Sequence, residues 1–144
     1  MHLDKVNKQQ LKMVINTFDE LERGKDSINN FCRKYCGKAD EIDIIEMAVL
    51  EACHNALRYG STRKNKSVCE LELLYDNQSI KAIVKSYGKE FIVEGKDKFS
   101  IEQDFLQYGD GNLGIPLIKS LMDSVEYNRK PNNLNELIMI KEIT

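Results

Sequence analysis

Residues 67–88, SVCELELLYDNQSIKAIVKSYG, contain two runs in which apolar and polar side chains alternate. In the first run, Leu71 and Leu73 fall on one face, while Glu70 and Glu72 fall on the other. This period of two predicts strands that have one buried face. The Asp-Asn-Gln segment between the runs is typical of a tight turn, so the two strands should form an antiparallel hairpin.

A second hairpin is predicted near the end of the sequence, where VEYNRK (125–130) and NELIMIKEI (135–143) flank the turn segment PNNL. Residues 11–18, LKMVINTF, alternate less regularly. They are interpreted as a first strand, with a helix that continues from residue 7 as the alternative. Since most of these strands are joined by short turns, the sheet should be largely antiparallel.

Two long segments have the apolar spacing of amphipathic helices. Residues 40–59 form the stronger one, with Asp40 as the candidate N-cap and Gly60 as the stop. Residues 19–37 form a weaker helix. Because glycine weakens the front half of this segment, its start is predicted at Gly24.

A third, shorter helix is predicted to begin near Ile115, with Pro116 in its first turn. The predicted order is strand, helix, helix, two strands, loop, helix, two strands. With 144 residues, the chain suits a single domain with a substantial core, taken as residues 1–144. The predicted fold class is α+β: a two-layer sandwich in which a largely antiparallel mixed sheet is covered on one face by three helices.

The composition argues against several classes of protein. A net charge of −2 gives no electrostatic basis for binding nucleic acid or an anionic membrane surface. The sequence has no apolar run of transmembrane length and no signal-peptide core, so we expect a cytoplasmic protein with thiol cysteines. Cys32 and Cys36 lie one helical turn apart, but no further ligand pair suits a zinc site, so they are interpreted as small half-buried side chains.

The stronger helix contains LEACHNALRYG, in which Glu51 and Asn55 lie four residues apart at the border of the apolar stripe. Side chains at this spacing project from neighbouring turns of one face. A polar pair on a partly buried face needs a partner, which is either protein or ligand. Glutamate can polarise an attacking hydroxyl, and the asparagine oxygen is a suitable ligand for Mg²⁺.

Residues 88–114 have weak periodicity and carry five glycines, which is typical of a functional loop or lid. We expect residues 92–110 to be the most mobile internal segment in the absence of ligand. The stretch GDGNLGIPLIKSLMD then opens the third helix. The backbone N–H groups of such a turn can hold an anion. With Glu51 and Asn55 upstream, these are the parts of a nucleotide-phosphate site.

Three stretches together resemble a known family. EMAVLEACHNALRYG, IVKSYGKEF and GDGNLGIPLIKSLMDSVEY are similar to the N, G1 and G2 boxes of the histidine-kinase-like ATPase superfamily, the Bergerat fold. Within it the chain most resembles the bacterial anti-sigma factor serine kinases, over roughly residues 10–142. The resemblance implies the histidine-kinase-like ATPase fold, binding of ATP with Mg²⁺, and phosphoryl transfer to a serine of a protein.

The resemblance also implies roles for individual residues. Glu51 matches the catalytic glutamate that activates the attacking group, and Asn55 matches the asparagine that coordinates Mg²⁺. Arg58 falls where the family often has a basic residue near the nucleotide. Ser86 and Gly88 match the element beside the adenine. The turn that closes over the phosphates corresponds to Gly111, Asn112, Leu113 and Gly114.

The sequence departs from the family pattern at several positions. Ser86 stands where the family has the aspartate that accepts a hydrogen bond from the adenine amino group, and Glu90 replaces the second glycine of that element. Asn112 interrupts the glycine turn, and Asp110 precedes it where the kinases commonly have an arginine. Because a hydroxyl is an uncharged acceptor, the serine is expected to weaken nucleotide binding about tenfold.

Two main hypotheses follow. In the first, the chain is an ATP- and Mg²⁺-dependent regulator that binds a sigma factor and phosphorylates a serine of an anti-anti-sigma protein. A homodimer is one assembly that this hypothesis allows. In the second, it is a degenerate relative that keeps the fold and the partner surface but binds nucleotide weakly or not at all. Ser86, Glu90 and Asp110 favour the second hypothesis, whereas the intact Glu51 and Asn55 favour the first. A bare ATPase domain acting beside a histidine kinase is less favoured, because no phosphoacceptor histidine helix is found.

Overall fold

The computed structural model describes residues 9–59, 68–90 and 114–144. Within these ranges the chain forms five strands and three helices, in the predicted order. They are β1 (Gln9–Ile15), α1 (Phe18–Tyr35), α2 (Ala39–Tyr59), β2 (Cys69–Asp76), β3 (Ser79–Tyr87), α3 (Gly114–Leu121), β4 (Ser124–Lys130) and β5 (Leu134–Glu142). The predicted lid at residues 92–110 and the predicted helix stop at Gly60 lie outside the described residues.

The five strands form one sheet in the order β1-β2-β3-β5-β4. The four pairings between these strands are antiparallel, and the two predicted hairpins are present as β2–β3 and β4–β5. Asn77 and Gln78 in the first turn, and Asn132 and Asn133 in the second, have positive φ angles. Positive φ at both residues of the two-residue β2–β3 turn suits the tight turns whose twist matches that of the flanking strands, whereas the β4–β5 turn has three residues.

Alternation along the strands gives the sheet one buried face, which the helices cover. On β3 the buried side chains are those of Ile80, Ala82, Val84 and Ser86. Helix α2 packs on β2 and β3, while α1 packs on β1 and α2, and α3 packs on α2. Burial of each large aliphatic side chain in this layer contributes roughly 1.5–3 kcal/mol, so the apolar face of the sheet fixes where α2 lies.

The first strand is confirmed, and the alternative of a helix from residue 7 is wrong, because β1 pairs with β2 along its whole length. The strand ends at Ile15, earlier than predicted, because the next residues cap α1. The Thr17 hydroxyl accepts from the Glu20 N–H at 3.0 Å, and the Glu20 carboxylate accepts from the Asn16 N–H at 2.7 Å. This is a variant of the capping box, in which the glutamate reaches the N–H one residue before the N-cap, and it fixes the helix start at Phe18.

The predicted start of α1 at Gly24 is wrong, since the helix runs through this residue. Gly24 is buried, and a Cβ atom added to it would lie 2.3 Å from Cε of Met13 on β1. The glycine therefore allows α1 to pack closely on β1. In sequence it resembles a helix breaker, whereas its role in the fold is a tertiary contact.

Helix α2 begins at Ala39, so Asp40 lies in the first turn and is not the N-cap that the sequence predicted. Its carboxylate accepts a hydrogen bond from the Glu41 N–H at 2.9 Å. A negative charge in the first turn is favourable to the helix dipole, so Asp40 still stabilises this end of α2. Among the described residues, no helix is both long and apolar enough to cross a lipid bilayer.

Candidate functional site

Helix α2 carries the two polar residues of the predicted site on the flank of its buried face. The stripe that faces the core is fully buried at Ala48, Ala52 and Ala56. Asn55 lies beside this stripe with only 5% of its surface exposed, and Glu51, one turn earlier, is half-buried. An amide held this deeply in a fold needs hydrogen-bond partners, whether from protein, water or ligand.

Two cysteines show where this part of α2 meets the sheet. Cys53 lies between Glu51 and Asn55 in sequence, and both Cys53 and Cys69 on β2 are fully buried, close enough for the two thiols to influence each other. The Cys69 thiol and burial raise the pKa of Cys53 well above its usual value, so Cys53 stays a thiol. Cys69 pairs with Ser86 across the β2–β3 ladder. Since α2 packs on both β2 and β3, it covers the face of the sheet on which Ser86 is buried.

Ser86 is the last inward-facing residue of β3, and 1% of it is exposed. Its Oγ has no hydrogen-bond partner among the described residues. Burying a hydroxyl without a partner costs about 1–3 kcal/mol. A hydroxyl can both donate and accept. Position 86 therefore fits a polar group of a ligand, at the place that the resemblance assigns to the adenine.

The backbone after β3 is held by the β4–β5 hairpin. Gly88 has a φ of 155°, a conformation that residues with a side chain rarely adopt, which explains the glycine. Its N–H donates to the Asn133 carbonyl at 2.9 Å, and its own carbonyl accepts from Arg129 Nη1 at 2.7 Å. Glu90, which replaces the second glycine of the family element, is exposed.

The strand register places a polar row beside Ser86, which the sequence analysis missed. Ser86 pairs with Asn135 on β5, and Asn135 pairs with Arg129 on β4. Directly paired residues project to the same face of a sheet, so the three side chains share the inner face. Asn135 is only 1% exposed. The available signal was an asparagine on the buried side of the alternating run NELIMIKE, but its neighbours depend on a register that the sequence does not show.

Of the other predicted site residues, two lie on helices of the structure and four lie outside the described residues. Gly114 is the first residue of α3, which packs against α2. Arg58 lies in the last turn of α2 and is exposed. Outside the described residues lie Asp110, Gly111, Asn112 and Leu113. The structure thus places Glu51 and Asn55 on α2 and Ser86 on β3, which pack together as elements, and the roles of these residues and the phosphate turn stay predictions.

Comparison with known sequences gives an independent view. The profile of the family described as Histidine kinase-like ATPase domain matches residues 17–141. The Serine-protein kinase RsbW of Bacillus velezensis is 28% identical over 91 residues, which cover 60% of this chain and 57% of that protein. The protein of the same name from Bacillus licheniformis is 29% identical over 90 residues, which cover 60% of this chain and 56% of that protein. The match therefore spans just over half the length of these relatives.

Comparison with solved structures tests the fold. The crystal structure of the RsbU and RsbW domains of Rv1364c from Mycobacterium tuberculosis superimposes with a TM-score of 0.67, over 92% of this chain and 32% of that chain. The identity is 10%, so this likeness establishes the fold alone. It confirms the predicted α+β sandwich. With a profile that matches residues 17–141 and a fold that agrees, the chain belongs to the family of histidine kinase-like ATPase domains, and within it is similar to the serine-protein kinases RsbW.

Proposed function

We propose that this chain is an ATP- and Mg²⁺-binding serine protein kinase of the anti-sigma factor type. The observation that carries the proposal is the buried Ser86 hydroxyl without a partner among the described residues, on the strand β3 against which α2 packs. An unsatisfied buried hydroxyl lowers the stability of a fold. A nucleobase bound there would supply the missing hydrogen bond, and membership of an ATPase-domain family supports that ligand.

The residues of this chain fit the groups that phosphoryl transfer requires. The amide oxygen of Asn55 would hold Mg²⁺, which accepts neutral oxygen ligands together with phosphate oxygens and water. When bound, Mg²⁺ neutralises the charge on the oxygens of the transferred phosphate. Glu51 would accept the proton of the serine hydroxyl of the protein substrate as that oxygen attacks the terminal phosphorus of ATP. The bond from this phosphorus to the oxygen that bridges it to ADP would break, so that ADP leaves and the products are phosphoserine and ADP. The turn from Gly111 to Gly114 would surround the phosphates with backbone N–H groups.

The proposed partners follow from the resemblance to anti-sigma factor kinases. We infer that the chain binds a sigma factor and phosphorylates a serine of an anti-anti-sigma protein, in the cytoplasm. The matched segments cover 57% and 56% of the lengths of the two RsbW proteins. The proposal of these partners therefore rests on similarity to just over half of each relative. A homodimer is a further proposal, because β1 is an edge strand of the described sheet and can pair with another strand.

Calorimetric titration with ADP, with and without Mg²⁺, tests the proposal. We expect saturable binding that Mg²⁺ tightens, and Asn55→Ala should remove the effect of Mg²⁺. Glu51→Gln should bind ADP as the wild type does but fail to transfer phosphate to the anti-anti-sigma protein. Glu22→Gln, on the exposed face of α1, is the matched control and should behave as wild type. A folded chain that binds no ADP contradicts the proposal.

A degenerate relative that keeps the fold and the partner surface is the second candidate. It is favoured by the neutral Ser86 in place of an acid and by the bulk and charge of Glu90, three residues after the end of β3. Asp110, which also favours it, lies outside the described residues. The same titration separates the candidates, since this one predicts sigma-factor binding with weak or no ADP binding.

A further inference from the structure

Hydrogen bonds from β4 and β5 hold the segment that follows β3. Arg129 donates from Nη1 to the Gly88 carbonyl at 2.7 Å, and Asn135 donates from Nδ2 to the Lys89 carbonyl at 2.9 Å. The Gly88 N–H donates to the Asn133 carbonyl at 2.9 Å. The backbone is therefore fixed at the point where the regular pairing of β3 ends.

The side chains that hold this segment are themselves fixed. Arg129 Nη1 also donates to Asn135 Oδ1, and Nη2 donates to Asn133 Oδ1, both at 3.0 Å. The Tyr127 hydroxyl donates to the same Asn135 oxygen. These acceptors of Arg129 are all neutral carbonyl or amide oxygens. A hydrogen bond from an ionised donor is about twice as strong as a neutral one, so the guanidinium orders the backbone effectively.

We propose that Arg129 and Asn135 are positioning residues of the nucleobase subsite, which act through the backbone of Gly88 and Lys89 on the Ser86 hydroxyl. The inference rests on the proposed function, because it takes Ser86 as the group that meets the base. A hydrogen bond weakens steeply as its angle departs from linearity. A single neutral hydroxyl therefore depends on the placement of its strand more than a carboxylate with two charged oxygens does.

A double-mutant cycle with ADP as the probe tests this role. In the wild-type background, Arg129→Ala should weaken ADP binding roughly threefold to tenfold. In the Ser86→Ala background, the same change should weaken it less than about twofold, because the group that was positioned is gone. Arg23→Ala is the matched control, since Arg23 is exposed and pairs with Asp19 on α1. It should leave ADP affinity unchanged.

Amide hydrogen exchange separates positioning from a general loss of stability. In Arg129→Ala the Gly88 amide should exchange faster, while the amides of Ala48 and Ala52 in α2 keep their protection. A role in stability alone would lower the melting temperature without changing ADP affinity.

Three outcomes would overturn the inference: unchanged ADP affinity in Arg129→Ala, equal weakening in both backgrounds, or unchanged exchange at Gly88. If Arg129→Ala does not fold, the same double-mutant cycle is measured with Arg129→Gln, which keeps one nitrogen donor. A folded wild-type chain that binds no ADP overturns the proposed function and the inference with it. That result is distinguishable, because only then does the reference titration fail.

Discussion

Replacing Ser86 by aspartate would restore the charged acceptor that the family pattern has at this position. The new carboxylate would lie where only 1% of the residue is exposed, with Cys69 opposite on β2 and Asn135 opposite on β5. Asn135 uses one of its two amide hydrogens for the Lys89 carbonyl, so one amide hydrogen has no acceptor in that bond. Burial of the charge should lower the unfolding free energy of the ligand-free chain by about 3–5 kcal/mol.

Although Ser86→Asp should make the ligand-free chain less stable, it should increase the affinity for adenine nucleotides. An ionised acceptor is worth roughly twice a neutral one, so the gain for ADP is about 1 kcal/mol, or about fivefold to tenfold in Kd. Guanine presents a carbonyl oxygen where adenine presents its amino group. The carboxylate of Ser86→Asp should repel that oxygen, and GDP should bind more weakly than it does to the wild type.

Calorimetric titration of the wild type and Ser86→Asp with ADP and GDP measures both effects. Ser27→Asp is the control, because it makes the same change at an exposed position of α1. Equal affinities for all four combinations of protein and nucleotide would show that the end of β3 is not an adenine subsite. The roles given to Ser86 and Gly88 would then be withdrawn.

Three further changes test how the elements around the site are held. Thr17→Ala removes the N-cap hydroxyl of α1 and should lower the unfolding free energy, measured in urea, by about 1 kcal/mol. Gly24→Ala places a Cβ 2.3 Å from Met13 Cε. The Met13 methyl ends a flexible, half-buried side chain, so its displacement should offset only part of the roughly 1 kcal/mol that alanine gains over glycine in a helix. The change should therefore stabilise the chain more beside Met13→Ala than alone, and equal effects in both backgrounds would contradict the packing argument. Burial raises the pKa of Glu136, but hydrogen bonds from neighbouring side chains and the charge of Lys130 outweigh it and lower the pKa below 4.5. Because this pKa is lower in the folded than in the unfolded chain, the stability it contributes is present above 4.5 and is lost as pH falls through the folded value. Lys130→Met should flatten that loss in urea titrations at decreasing pH, and an unchanged pH dependence would contradict the pairing.

Elements with a strong local pattern were predictable from the sequence. Residues 40–59 were predicted as a helix and form α2 from Ala39 to Tyr59, because the apolar stripe repeats over more than five turns. The β2–β3 hairpin was predicted to within two residues, since alternation and turn residues agree. The same α2 pattern placed Glu51 and Asn55 correctly at the border of the buried face.

Features that depend on tertiary contacts were not predictable. Gly24 weakens a helix in isolation, and only its distance to Met13 explains why the helix continues through it. Arg129 and Asn135 are ordinary polar residues in sequence. Their position beside Ser86 follows from the β3–β5 and β4–β5 registers, which no local pattern determines.

Stability and nucleotide binding should oppose each other at position 86. Both ends of the Asn135 amide are hydrogen-bonded, whereas the neighbouring Ser86 hydroxyl has no partner among the described residues. Ser86→Ala removes that group without changing the backbone, so the ligand-free chain should gain about 0.5–1.5 kcal/mol and melt roughly 2–5 °C higher. The same change removes the bond to the base, and ADP affinity should fall about threefold to tenfold. Thermal melting with and without ADP measures both, since the rise in Tm with ADP should be smaller in the variant. If alanine instead destabilises the ligand-free chain, the hydroxyl has a partner within the protein, and its burial is no sign of a ligand.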